Sequence, residues 1–184
     1  MSKIAGGNRL LNPQTILREA GVGLGDVVGD LGVGTAAYFT LQVADMVGDK
    51  GRVYAVDIQK SVLQNVEHYA KQHRFLNITP LWANLEVPRS TQIPDHELDF
   101  ALVVNVLFQT PRPEAILKEA VRMTKHGGKI LVVDWTDVNT PFGPGPGDRL
   151  ERVRVEQTLN SLGVKLERVV DAGKYHYGLL FQAS

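Results

Sequence analysis

Apolar residues follow two rhythms along this chain, and the rhythms alternate. Short, nearly unbroken apolar runs of strand length separate stretches whose apolar residues recur every three or four positions. "NPQTILREAG" reads as a short first helix, with Asn12 as N-cap, Pro13 at the first helical position and Gly21 at its end. Asp26 to Leu31 is the first strand. Ala36, Phe39, Val43, Met46 and Val47 then recur at helical spacing until Gly48. Arg52 to Asp57 is the second strand, followed by a helix with Val62, Val66, Tyr69 and Ala70 on one face. "NITPLWAN" is the third; Pro80 inside it cannot donate to a ladder, which predicts a sheet edge. "LDFALVVNV" and "GKILVVDW" read as strands covered on both faces. Between them "PEAILKEAVRMTKHGG" predicts a helix ending at the paired glycines.

The last third changes character. "TDVNTPFGPGPG" is too rich in proline and glycine for regular structure and is long enough to be a functional loop. Asp148 with Glu151 predicts a capping box that opens a helix to Ser161. "GVKLERVVD" and "KYHYGLLFQA" follow as strands with only "AGK" between them, too short a join for a parallel crossover, so they predict an antiparallel hairpin. Strand and helix alternating in this way predict a doubly wound, mostly parallel α/β sheet in one domain spanning residues 1–184.

Composition narrows the function little. Hydrophobic residues make up 43% and charged ones 22%, with a formal net charge of zero, so no electrostatic footprint for nucleic acid is visible. The absence of cysteine excludes disulfides, thiolate metal sites and a cysteine nucleophile. "MSKIAGGNRLLNPQ" lacks the apolar core of a signal peptide, and no stretch has the length of a membrane span, so a cytoplasmic protein is expected.

The chemistry starts at "VVGDLGVGTAAYF", a strand running through a glycine-bearing turn into a helix. Gly32 and Gly34 let backbone approach a ligand, and the helix offers unpaired N–H groups. Read as G-x-G-x-x-A, residues 32–37 fit a dinucleotide fingerprint. Read as D-x-G-x-G, they add Asp30, whose carboxylate suits a cationic ligand and repels a pyrophosphate. Asp57, ending "VYAVDI", can accept both hydroxyls of a ribose under either reading.

The rest of the chain tips the balance. "DLGVGTAAYFTLQVADMVGDKGRVYAVDIQKSVLQNV" resembles the glycine loop, first helix, second strand and ribose carboxylate of class I S-adenosylmethionine-dependent methyltransferases. "DFALVVNVLFQTPRPEAILKEAVRMTKHGGKILVVDW" is similar to that family's fourth strand, following helix and turn before strand five, and the terminal hairpin agrees. The nearest subgroup is the small-molecule, ubiquinone/menaquinone-methyltransferase-like one. The resemblance implies a seven-stranded Rossmann-like sheet of order 3-2-1-4-5-7-6. It implies S-adenosylmethionine as cofactor, with Asp30, Leu31, Gly32, Val33 and Gly34 at the methionine end. Asp57 would then hold the ribose, Ile58, Asn84 and Leu85 would flank the adenine, and Asn105 would lie near the carboxypropyl group or the acceptor. The chain departs from the pattern at Ala36 (a glycine in the family), at Gly29 inside strand one, at Asn84 (often acidic) and at His126 (usually proline).

Methyl transfer from a sulfonium needs mainly alignment, although a phenol or alcohol acceptor also wants a base. Ligands of open sheets bind at the carboxyl ends of the strands. Asp134 and Trp135 end strand five, and Tyr175 and His176 begin strand seven, so all are expected in one cleft. His176 and Asp134 are the candidate catalytic residues, and Phe108, Trp135 and Tyr175 the candidate substrate contacts. The competing readings are a histidine bonded to backbone and a tryptophan serving as core. Asp134, Asp137 and Asn105 are spaced too loosely to predict a metal site. The N-terminal segment 1–21, around Arg9, and the loop 136–147 are expected to cover a small-molecule acceptor. An NAD(P)-linked oxidoreductase and a noncatalytic S-adenosylmethionine-binding protein are the alternatives.

Overall fold

The computed structural model describes residues 10–141 and 143–184. Arg9, in the expected N-terminal cover, and Phe142, in the expected loop cover, lie outside the described residues. Alternation appears as predicted: α1 (Pro13–Ala20), β1 (Val27–Leu31), α2 (Tyr38–Val47), β2 (Arg52–Asp57), α3 (Lys60–His73), β3 (Ile78–Trp82), β4 (Leu98–Val104), α4 (Pro113–Met123), β5 (Thr124–Trp135), α5 (Arg152–Ser161), β6 (Lys165–Val170) and β7 (His176–Gln182). Short 3₁₀ turns sit at Leu107–Gln109 and Pro146–Asp148.

Seven strands form one sheet in the order β3-β2-β1-β4-β5-β7-β6. All neighbours from β3 to β5 are parallel, while β7 runs antiparallel to both β5 and β6. Pro80 stands on the edge strand, opposite Ala55 of β2. Because side chains alternate along a strand, successive residues feed two separate cores. Ala101, Val103, Ile130 and Val132 pack with Leu117 of α4 and Val155 of α5. Phe100, Leu102, Leu131 and Val133 pack with Leu17 of α1 and Val43 of α2 on the other face. Both faces are therefore covered, which is why β4 and β5 are apolar throughout.

Helix α1 keeps its expected ends. Asn12 Oδ1 accepts from the Thr15 N–H at 3.2 Å, and Gly21 adopts the left-handed conformation at φ 93°. Several boundaries differ from the sequence reading by a few residues, and two of them have a clear tertiary reason. Helix α4 ends at Met123, ahead of the paired glycines, because Thr124 caps it by donating its hydroxyl to Ala120 O at 2.7 Å and passes directly into β5. The capping box at Asp148 and Glu151 is not made: α5 begins at Arg152, and Glu151 caps it without a side-chain bond. Leu150 is buried there instead, and its carbonyl accepts the Tyr177 hydroxyl at 3.1 Å, which holds the chain extended. The β6–β7 join runs from Asp171 to Tyr175, two residues longer than the expected "AGK".

Gly29, an anomaly inside strand β1, has a packing reason. A Cβ there would stand 2.6 Å from Leu98 Cδ1, in the fully buried seam between β1 and β4. Gly29→Val should therefore destabilise the fold by about 1–3 kcal/mol, the usual cost of overpacking a filled core. Equilibrium denaturation would measure this, and an unchanged midpoint would contradict the packing assignment.

Candidate active site

At the carboxyl ends of β1, β2 and β4 lies a cavity of about 530 Å³. Its lower wall is the turn after β1. Gly32 has φ 98°, and a Cβ there would meet Val106 Cγ2 at 2.4 Å, so the missing side chain lets this turn close against the segment after β4. Gly34 differs: at φ 69° it has open space where a Cβ would stand, on the cavity side. The two glycines thus do different work, one packing and one leaving room.

Asp30, Gly32, Val33 and Gly34 all line this cavity, as do Asp57 and Ile58 from the end of β2. Asn84, Leu85 and Asn105 complete the set that the sequence reading brought together. Leu31 is the exception: it is fully buried in the core and off the lining. Asp57 ties the site to its frame, with Oδ1 accepting from the Gln59 N–H at 2.8 Å and Oδ2 from the Gly34 N–H at 3.2 Å. A carboxylate has about four lone-pair sites, so acceptor capacity remains for a ligand's hydroxyls. Asp30 is buried and accepts the Thr40 hydroxyl at 2.5 Å. Burial lifts its pKa from 3.8 to about 6, against the Thr40 hydrogen bond. Asn105 ends β4 at φ 54°, and its buried Oδ1 has no hydrogen-bond partner. An orphaned acceptor costs about 1–3 kcal/mol unless a ligand donor satisfies it.

Sequence reasoning missed Glu86, Gln109 and Thr110, which also line the cavity. Thr110 donates to Glu86 at 2.5 Å and Arg112 pairs with the same carboxylate at 2.8 Å, which joins the loop after β3 to the segment after β4. Asn84, read as standing where the family often has an acidic residue, lines the cavity, and the carboxylate of Glu86 lines it two residues further on.

The remaining candidates are not on this lining, and the single cleft expected of them does not form. Register explains why: Asp134 pairs with Tyr177, and Trp135 with His176, so alternation sends the two pairs to opposite faces. Asp134 is fully buried and accepts from the Leu107 N–H at 3.1 Å and the Trp135 N–H at 2.8 Å. Burial raises its pKa to about 6. Trp135 and His176 pack against each other on the face of α1 and α2, their rings tilted by 41° with centroids 4.3 Å apart. Burial, reinforced by the Arg149 charge, pulls the His176 pKa down to about 4, so the ring is neutral at pH 7. Neither of its nitrogens nor Trp135 Nε1 has a partner. Phe108 is half-buried in the 3₁₀ turn after β4, and half-buried Tyr175 accepts the Thr136 N–H through its carbonyl at 3.0 Å.

Comparison with known proteins identifies the class. The family described as "Methyltransferase domain" matches residues 29–132, more than half of the chain, and the chain belongs to it. The matched span includes the glycine turn, Asp57 and Asn105. A demethylmenaquinone methyltransferase from Geobacillus is 31% identical over 106 residues, which are 57% of this chain and 43% of that protein. A ubiquinone/menaquinone biosynthesis C-methyltransferase from Shewanella woodyi is 29% identical over 121 residues, 65% of this chain and 47% of that one. The chain thus spans about half the length of the curated relatives it matches. A crystal structure of a SAM-dependent methyltransferase from Aquifex aeolicus superposes with a TM-score of 0.85 and 27% identity, covering 95% of this chain and 91% of that one. Fold, family and neighbours define a class I S-adenosylmethionine-dependent methyltransferase domain.

The cofactor so implied fits the residues present. The cavity has the volume of a cofactor site, Asp57 has free acceptor capacity, Gly34 leaves room, and Asn105 Oδ1 awaits a donor. Asp57→Ala should weaken S-adenosylhomocysteine binding at least about tenfold, or 1.4 kcal/mol. It should also lower stability by about 1–3 kcal/mol, because two main-chain N–H groups lose their acceptor. Calorimetry and thermal melts read the two effects, and unchanged affinity would contradict the ribose assignment.

Asp30 predicts a pH dependence with a definite sign. Between pH 3.8 and about 6 the folded chain retains a proton that the unfolded chain has lost, so the unliganded fold loses stability as pH rises through that window. A cationic ligand favours the carboxylate, so S-adenosylhomocysteine affinity should rise from pH 5 to 7 with proton release. Calorimetry in buffers of different ionisation heat would show the release, and Asp30→Asn should abolish it.

Proposed function

We propose that this chain transfers the methyl group of S-adenosylmethionine to a small-molecule acceptor. One observation carries the reading: in a chain of this family, a glycine turn flanked by the carboxylates Asp30 and Asp57 lines a cofactor-sized cavity. Asp30 behind the turn suits a cationic ligand and opposes a diphosphate, which disfavours the NAD(P) alternative, whereas Asp57 would serve the ribose of either cofactor.

Bound S-adenosylmethionine supplies an activated methyl on a sulfonium. The chain's part is to bind and align. Asp30 and Asn105 hold the ammonium of the methionine end, Asp57 takes the ribose hydroxyls, and Ile58, Asn84 and Leu85 bracket the adenine. Asp134 is a positioning residue: its carboxylate fastens the turn after β4 to the end of β5 through the N–H groups of Leu107 and Trp135. Alignment of donor and acceptor provides most of the acceleration.

The acceptor is a ring compound bearing an oxygen, of the kind named in the demethylmenaquinone relatives. It approaches along Leu11, Phe39 and Val104, apolar lining residues on the face that carries Trp135 and His176. Among the described residues no helix is long and apolar enough to cross a membrane. A cytoplasmic location is part of the proposal and is supported by the lack of cysteine.

Titration with S-adenosylhomocysteine should give binding heat and NADH none; the reverse would overturn the reading. Labelled methyl should then pass to members of a panel of aromatic alcohols. Binding without turnover across that panel would make the chain a cofactor-binding protein instead.

A further inference from the structure

A second feature lies off the cavity lining, at the paired ends of β5 and β7. Trp135 and His176 are buried, at 7% and 4% exposure, and their rings are in contact at a tilt of 41°. Three polar nitrogens lie between them, the indole Nε1 and both imidazole nitrogens, and none has a hydrogen-bond partner. Such groups are normally satisfied when buried, and three in one contact pair mark a place built for a ligand's polar atoms. Together they offer an indole donor and, from a neutral imidazole, one donor and one acceptor. That set matches a hydroxyl or carbonyl oxygen on a flat ring.

Arg149 fastens the cover over this pair. Gly143, at φ 75°, lies against the indole so closely that a Cβ would stand 2.5 Å from Trp135 Cζ2. Arg149 fixes the cover by donating to Thr136 O and Val138 O at 2.7 Å each and to Pro144 O at 3.1 Å. Its guanidinium also lies 5.9 Å from the Trp135 ring centroid. On the other side, Val133 shares the face of Trp135 and belongs to the same apolar cluster as Leu11 and Phe39, which line the cavity. Leu11 and Phe39 of that cluster thus reach the cavity on the same face of the sheet as the unsatisfied nitrogens.

We propose that Trp135 Nε1 and the His176 ring form an oxygen-reading subsite for the acceptor, closed by residues 143–149 and opened by release of the Arg149 clasp. The subsite rests on the reading of the neighbouring cavity as the methyl-donor site. It selects ring compounds with a hydroxyl or carbonyl oxygen over those without one, because an apolar analogue would leave all three nitrogens unpaired.

Calorimetric titration of the full chain with naphthol and with methylnaphthalene, with and without S-adenosylhomocysteine, tests this. Naphthol should bind at least about tenfold tighter than its hydroxyl-free counterpart. His176→Phe and Trp135→Phe should each shrink that preference to about twofold or less while S-adenosylhomocysteine affinity stays unchanged. Arg149→Ala should keep the preference and raise the naphthol association rate at least about fivefold in stopped flow. In the unaltered chain, the indole N–H resonance of Trp135, assigned with Trp82→Phe, should move with naphthol and not with methylnaphthalene. An unmoved resonance, no preference for naphthol, or a preference surviving in both ring variants would overturn the subsite. Failure of the chain to bind S-adenosylhomocysteine would overturn the donor-site reading separately, since the naphthol comparison is also made without it.

Discussion

The functional end of this molecule depends on how the central strands are levelled. Parallel pairing sets Leu31 opposite Val56, Asp57 opposite Trp82 and Asp30 opposite Leu102, so β1, β2, β3 and β4 finish at nearly one height. The turn after β1 then presses directly against the segment after β4, with Val106 filling the space that any side chain on Gly32 would need. Without that contact the cavity would have no floor, and Asp30, Asp57 and Asn105 would not share it.

Acidic side chains are used here in three ways. Asp57 is a bracket whose oxygens hold the main chain of the glycine turn while retaining capacity for a ligand. Asp30 is buried behind that turn with only a hydroxyl for company, so its charge is costly until a cation arrives. Asp134 resembles it in burial but is given over to main-chain N–H groups and supports the architecture. Identical chemistry thus serves binding, electrostatics or construction according to what surrounds it.

Much of this was legible in the order of residues. Periodicity located each strand and helix because burial on one or two faces leaves a local trace, and Pro80 identified an edge because a missing donor has one tolerable place. Boundaries were misread where distant groups decide them: the Thr124 hydroxyl ends α4, and the Leu150–Tyr177 hydrogen bond delays α5. Strand ends carried the cofactor-side lining, since a residue finishing a central strand has only one place to be. Glu86, Gln109 and Thr110 escaped because the path of a loop leaves no period. The supposed union of Asp134 and His176 failed on strand parity, for Asp134 and Trp135 are adjacent and cannot share a face.

The two tryptophans occupy contrasting settings. Trp82 is 60% exposed at the end of the edge strand, its indole donating to Ile58 O, whereas Trp135 is 7% exposed against Gly143. Their near-ultraviolet emission should therefore separate, a red component from the wet ring and a blue one from the dry ring. The molecule thus carries two unlike indoles, one in water and one buried, whose surroundings can be followed separately without a label.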